Sequence, residues 1–188
     1  MLIKIHIYKY MEKFMRYNLK RETDLLKYHL DDKLKNVKYE VAKEYIDWID
    51  RQTTYFKESI DKAGYKTQPD NLARGDVIWA EFGINIGTEL SDYHTRGHYA
   101  LVWCVDLGNI IVIPLSSRDS PGSAMTFDLG IIPELSDDGS HSYLKLDAIR
   151  SISKRRIARM PGKTGGKVTL NDEVIEKVKE AIKMNFLN

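Results

Sequence analysis

The sequence predicts a mainly β protein with flanking helices, an α+β fold, on three observations. Three short runs, DVIWAEF (76–82), HYALVWCVD (98–106) and NIIVIPL (109–115), are β-branched and aromatic with turn residues at their ends. Residues 1–64 instead repeat apolar side chains at three- and four-residue steps, the helical period. Residues 171–186 return to that period at the end of the chain. Further short strand patterns between 125 and 159 bring the total to five or six. A small, partly open β-barrel with a C-terminal helix, preceded by a helical region, accounts for this pattern.

In 1–64, Leu30, Leu34, Val37, Val41, Tyr45, Trp48 and Phe56 form one apolar stripe. Thr23-Asp24 is a plausible N-cap and Gly64 a plausible C-terminal stop. Asp31-Asp32 would serve equally to begin a second helix, so one long helix and a helical pair both stay open. The stripe needs a cover, which is the following domain, another subunit or a separate partner, and a core role is the preferred reading. Met11 and Met15 are alternative starts. Residues 65–73, with Pro69, Asp70 and Asn71, form a linker to a domain spanning 74–188.

Within that domain, Leu107-Gly108 is short enough for a tight hairpin. The connection 83–97 is far longer and polar, the usual place for function on a small sheet. A loop rich in Ser, Gly, Pro and Asp follows 115, with a short strand near 125–129. SYLKLDAIRSISKRRIAR reads as strand, turn and strand, and PGKTGGK as a glycine-rich loop. Gly162-Lys163-Thr164 lacks the first glycine of a phosphate-binding loop, which excludes a nucleotide site there. Thr169 with Asp172 is a capping pair for the last helix, whose apolar face is Val174, Val178, Ala181, Ile182 and Phe186.

Composition narrows the class. At 43% hydrophobic and 30% charged, the chain is globular rather than disordered. No apolar run approaches the roughly 20 residues of a membrane span. The N-terminus has no continuous apolar core or small-residue cleavage site, so it reads as a poor signal peptide. The single Cys104 sits in an apolar run, reads as core, and fits a cytoplasmic protein. Net charge is only +2, but 150–167 carries seven basic residues and no acidic one. Such a strip either holds a phosphate backbone or is a solvated surface.

RGDVIWAEFGINIGTEL, HYALVWCVD, IIVIPLSS, LDAIRSISKRRI and DEVIEKVKEAI, in that order, resemble the PemK/MazF toxin family over roughly 74–184. The resemblance implies an SH3-like barrel, usually dimeric. It also implies cleavage of single-stranded RNA to a 2′,3′-cyclic phosphate without metal or other cofactor, and a cognate antitoxin that covers the RNA groove. Residues 1–70 have no counterpart in the short members. Carried over position by position, the family's catalytic arginine falls on His98, with Tyr99 replacing the proline that follows it; Arg96 lies two residues earlier. The catalytic threonine falls on Ser116, which keeps a hydroxyl. Thr88 and Glu89 fall on the Ser-Glu of the first loop, and Arg150, Lys154 and Arg156 match the later basic segment.

The chemistry needs a base for the 2′-OH, an acid for the leaving 5′-oxygen, and a cation for the phosphorane. His98 suits base or acid, Arg96 a bidentate phosphate clamp, and Ser116 a hydrogen-bond donor. Strand alternation puts His98, Ala100 and Val102 on one face and Tyr99 and Leu101 on the other. Tyr93 is a candidate for base stacking, Tyr99 a second, and Arg118 for phosphate contact. Trp79 and Trp103 read as core. His94 and His98 would share a metal only on a helix, so no metal site is assigned. The alternative function is a non-catalytic binding module of the same family that associates with protein or nucleic acid.

Overall fold

The computed structural model describes residues 2–64, 69, 71–136, 138–160 and 165–187, without the side chains of 2–6, 8 and 12–17. The chain divides into two units, 1–43 and 44–188. Most of the predicted linker and the start of PGKTGGK lie outside the described residues.

The helical region is a pair. Helix α1 spans Leu2–Leu34 and α2 spans Tyr39–Ile60. The break falls at 35–38, after both predicted starts. Thr23 is no cap: its hydroxyl donates to the carbonyls of Leu19 and Lys20, the back-bonding of a helix interior. In the first unit, α1 leaves Tyr10, Leu19, Leu25, Leu26 and Tyr28 exposed.

In the second unit, α2 ends one turn before Gly64. Lys62 takes the left-handed conformation at φ 53°, and the N–H of Ala63 donates to the carbonyl of Glu58. That is a Schellman-type stop on a lysine. Of the predicted stripe only Trp48 is buried, while Phe56 is 67% exposed. The inward face of α2 is instead Glu44, Trp48, Arg51, Tyr55 and Glu58, steps of three and four that include charged residues.

The sheet has eight strands: β1 Asp76–Ala80, β2 His98–Val105, β3 Asn109–Ser116, β4 Thr126–Ile131, β5 His141–Lys145, β6 Arg150–Ser153, β7 Ile157–Ala158 and β8 Val168–Thr169. The path runs β4-β5-β3-β2-β1-β7, with β6 also on β3 and β8 also on β1; every pair is antiparallel. Among the described residues its ladder stays open, the partly open arrangement the pattern predicts rather than a closed barrel. Leu107-Gly108 forms the expected two-residue hairpin, closed by Asp106 N–H to the carbonyl of Asn109. The two-residue strands β7 and β8 are too short to leave a sequence pattern.

Both faces of the sheet carry core. One holds Val77, Leu101, Ile113, Leu115 and Leu144, together with Val178 and Ala181 of helix α3 (Asp172–Phe186). The other holds Ile78, Ala80, Phe82, Ala100, Val102, Val112, Ile152 and Ile157. Trp79 and Trp103 pack against the first face, as expected. Phe186 is 45% exposed, and Ile175 packs in its stead.

Two further expectations are corrected. Cys104 is exposed, because a bulge between Val102 and Cys104 breaks the in–out alternation just before it. The cap of α3 is Asn171, whose side chain accepts from Val174 N–H. Thr169 is engaged elsewhere: its hydroxyl donates to Asp76 at 2.6 Å.

Asp76 explains the Arg-Gly-Asp start of β1. Its carboxylate, 1% exposed, accepts from Ala73 N–H, Lys167 Nζ (2.8 Å) and Thr169. Arg74 lies over the Trp103 ring at 4.8 Å and donates to that residue's carbonyl. A buried charge is tolerable when paired and hydrogen-bonded in this way. The motif joins the first strand to the last, which explains its place at the start of the sheet.

Candidate active site

The long connection 83–97 forms neither helix nor strand, yet it is strongly organised. Asn85 donates from its backbone to Ser91 Oγ at 2.8 Å and from its side chain to the carbonyl of Leu90. Asp92 is the centre. Its Oδ2 accepts the N–H groups of Phe82 and Gly83, each at 2.6 Å, and its own N–H donates to the carbonyl of Gly83. Only 5% of Asp92 is exposed. Its remaining oxygen, Oδ1, lies 2.7 Å from His98 Nδ1.

A carboxylate oxygen accepts and cannot donate, so in the neutral imidazole Nδ1 carries the proton. Nε2 is then left with its lone pair. The imidazole packs edge-on against Phe82, with ring centroids 6.3 Å apart, and about a fifth of the side chain remains open to solvent. His98 is therefore held but reachable.

The cations around this pair come from distant parts of the chain. Arg150 at the start of β6 sits opposite Val112 in the ladder, and its guanidinium lies over Phe82 at 5.5 Å. Arg156 reaches Phe82 O at 3.4 Å and lies over Trp48 at 5.3 Å. Burial first, and then the Arg150 charge, lower the Arg156 pKa from its ordinary value. An arginine stays cationic under such a shift. Asp92 and Glu81 act in the opposite direction, so Arg156 sits among carboxylates as well as beside Arg150.

Helix α2 closes one side. Gly83, at φ +84°, takes a conformation that side-chain-bearing residues rarely adopt, and a Cβ there would meet the Trp48 ring at 2.1 Å. Glu44 holds His94, with Nδ1 at 2.9 Å. Arg51 faces the buried carboxylate of Glu81 at 3.4 Å, an ion pair without hydrogen-bond angles. Between helix and loop lies a cavity of about 250 Å³, lined by Glu44, Asp47, Arg51, Ile84, Asp92, His94, Thr95 and Arg96.

The predicted site residues fall into two groups. His98 hydrogen-bonds Asp92, and Arg96 lines the cavity that Asp92 also lines. The β2–β3 ladder ends at Ala100 opposite Pro114, and Ser116, two residues further along β3, pairs with Tyr143 of β5. Arg150 and Arg156 join this group. Thr88 and Glu89 lie exposed on a turn at 86–89, and Tyr93 is 39% exposed on the same loop. Arg118 is exposed after β3, its N–H donating to Ser116 Oγ. Lys154 is at the opposite end of the strands, where its Nζ donates to the carbonyl of Leu107 in the hairpin. With seven residue steps between His98 and Val105, that end is roughly 23 Å away.

Asp92 is the residue that sequence reasoning misses. The only available signal is an acidic residue six positions before the histidine in the polar loop, and spacing alone cannot show that the loop folds back.

The domain is thus a small antiparallel sheet, capped by a C-terminal helix and carrying a buried carboxylate paired with a part-buried imidazole, with arginines nearby. Residues 73–186, well over half of the chain, match the family of the PemK-like, MazF-like toxin of type II toxin-antitoxin system. The chain belongs to that family. No curated protein matches it. Among solved structures 22 chains match. One is a crystal structure of an Mtb toxin, 17% identical, with a TM-score of 0.37, covering 48% of this chain and 93% of that one. Among the described residues no helix is long and apolar enough to cross a membrane.

Proposed function

We propose that the chain is the toxin of a type II pair and an endoribonuclease. It cleaves single-stranded RNA without metal, leaves a 2′,3′-cyclic phosphate, works in the cytoplasm as a homodimer, and is neutralised by a cognate antitoxin. Family membership supports the toxin class. The observation that carries the chemistry is the His98–Asp92 pair, with Arg150 and Arg156 beside it.

In this reading His98 Nε2 takes the proton of a ribose 2′-OH. The 2′-oxygen attacks the adjacent phosphorus, forming the O2′–P bond as the P–O5′ bond breaks, and the departing 5′-oxygen takes a proton from water. Arg96, Arg150 and Arg156 neutralise the charge that builds on the phosphorane, and Ser116 donates a hydrogen bond to it. Tyr93 stacks on a base, and Thr88, Glu89 and Arg118 line the path of the RNA, whereas Lys154, held at the hairpin, lies away from it.

One feature favours a second reading, a non-catalytic binding module. Histidine stands where the family resemblance puts a catalytic arginine, and Arg96 lies on the exposed part of the loop. Expression in a bacterial host separates the two. The enzyme reading expects growth arrest and RNA cutting in EDTA, with His98→Ala and Arg96→Ala each losing at least about a hundredfold in rate. Cutting by both variants at the wild-type rate would remove this site, and no cutting by wild type on any RNA tested would leave the binding module.

A further inference from the structure

Most of the molecule's remaining clusters explain themselves as structure. Asp76 ties β1 to Lys167 and Thr169, Arg155 holds the end of α2 through Ala63 O, and the His141–Asp128 pair is half exposed on β4 and β5. Asp92 does not reduce to structure so easily. Organising the loop needs only one of its oxygens, since both backbone N–H groups go to Oδ2. The other is committed to a single imidazole nitrogen, in a place where 2% of the side chain is exposed.

We propose that Asp92 is the positioning residue of His98: it fixes the Nδ1–H tautomer and the ring orientation, so that Nε2 is presented to the RNA as a base. This rests on the ribonuclease reading above. Three contacts determine the geometry. The N–H groups of Phe82 and Gly83 fix the carboxylate plane, Oδ1 then fixes the direction of the Nδ1–H bond, and the Phe82 ring limits rotation of the imidazole. An imidazole free to exchange tautomers would spend part of its time with a proton on Nε2, where it cannot act as the base. A carboxylate that holds the base by its far nitrogen removes that population.

The substitution Asp92→Asn tests this closely. The new amide oxygen can still accept from both N–H groups, which keeps the loop. Its NH₂ group then faces Nδ1 and can only donate, so the proton must move to Nε2. Long-range ¹H–¹⁵N correlation spectra distinguish the two tautomers, with the His98 signals assigned by their loss in His98→Gln. The wild type is expected to show Nδ1–H and Asp92→Asn to show Nε2–H. Cleavage of a single-stranded RNA by Asp92→Asn should fall by about a hundredfold or more at unchanged melting temperature.

A wild-type His98 protonated at Nε2 would overturn the proposal, whether or not the variant folds. So would Asp92→Asn cutting at the wild-type rate. The expected tautomers in a wild type that cuts no RNA would uphold the orientation by Asp92 and overturn the ribonuclease reading, so the two failures are distinguishable.

Discussion

Single residues carry much of this fold through buried charge. Asp76 is the clearest case, because its partners Lys167 and Thr169 come from the far end of the chain. Removing one partner of a buried pair costs more than the pair contributes, since the other is left uncompensated. Asp76→Ala is expected to destabilise the protein by about 3 kcal/mol in urea unfolding, allowing for the partial exposure of Lys167. A change within about 0.5 kcal/mol, the range of an ordinary surface substitution, would contradict this role. At this scale the sequence is legible wherever a residue type has few uses. His98 and Ser116 can be placed at strand ends because the apolar runs HYALVWCVD and NIIVIPL mark where those strands begin and end. Asp92 cannot, because its partners are backbone groups and a ring that only the folded loop brings near. Cys104 misleads for a related reason: a bulge leaves no pattern in the apolar run that contains it.

At the scale of elements, α2 and the loop 83–97 form one structure. The apolar period of α2 points to Phe56, while the folded helix turns Trp48 inward along with Glu44, Arg51 and Glu58. Charged residues are the inward face here because the surface they meet is itself polar: His94, Glu81 and Arg155. A hydrophobic count cannot anticipate that. Trp48→Ala is expected to cost about 3–5 kcal/mol, as for other buried aromatic deletions. Gly83→Ala should lower the melting temperature and raise tryptophan exposure to acrylamide quenching, because its Cβ would enter the space of the Trp48 ring. Retained stability and quenching in that variant would mean that the helix does not pack on the loop. Deleting residues 1–64 is likewise expected to give an unstable or misassembled domain; an unchanged melting temperature and oligomeric state would count against it. The strands 76–80, 98–105 and 109–116 are the most legible elements, since β-branched runs with a buried centre have few alternatives. The helix break at 35–38 is the least legible, because Thr23 and Asp31-Asp32 carry stronger local start signals than the true one.

For the whole molecule, net charge says little and its placement says more. Arg150 and Arg156 belong to the basic segment that is ambiguous in the sequence, and the fold turns both toward Phe82, while Lys154 goes to the hairpin. RNA affinity is therefore expected to depend on only part of that segment. In a His98→Ala background, Arg150→Gln and Arg156→Gln should each flatten the dependence of log affinity on log salt by about 0.7 for each phosphate no longer neutralised, and Lys154→Gln less. Equal effects at all three positions would contradict the placement. The reaction itself is tested most directly by mass spectrometry of RNA ends after incubation with wild-type protein in EDTA. The predicted result is new 3′ ends carrying a 2′,3′-cyclic phosphate, paired with 5′-hydroxyl ends and absent with His98→Ala. Intact RNA, or 3′-hydroxyl ends paired with 5′-phosphates, would contradict it.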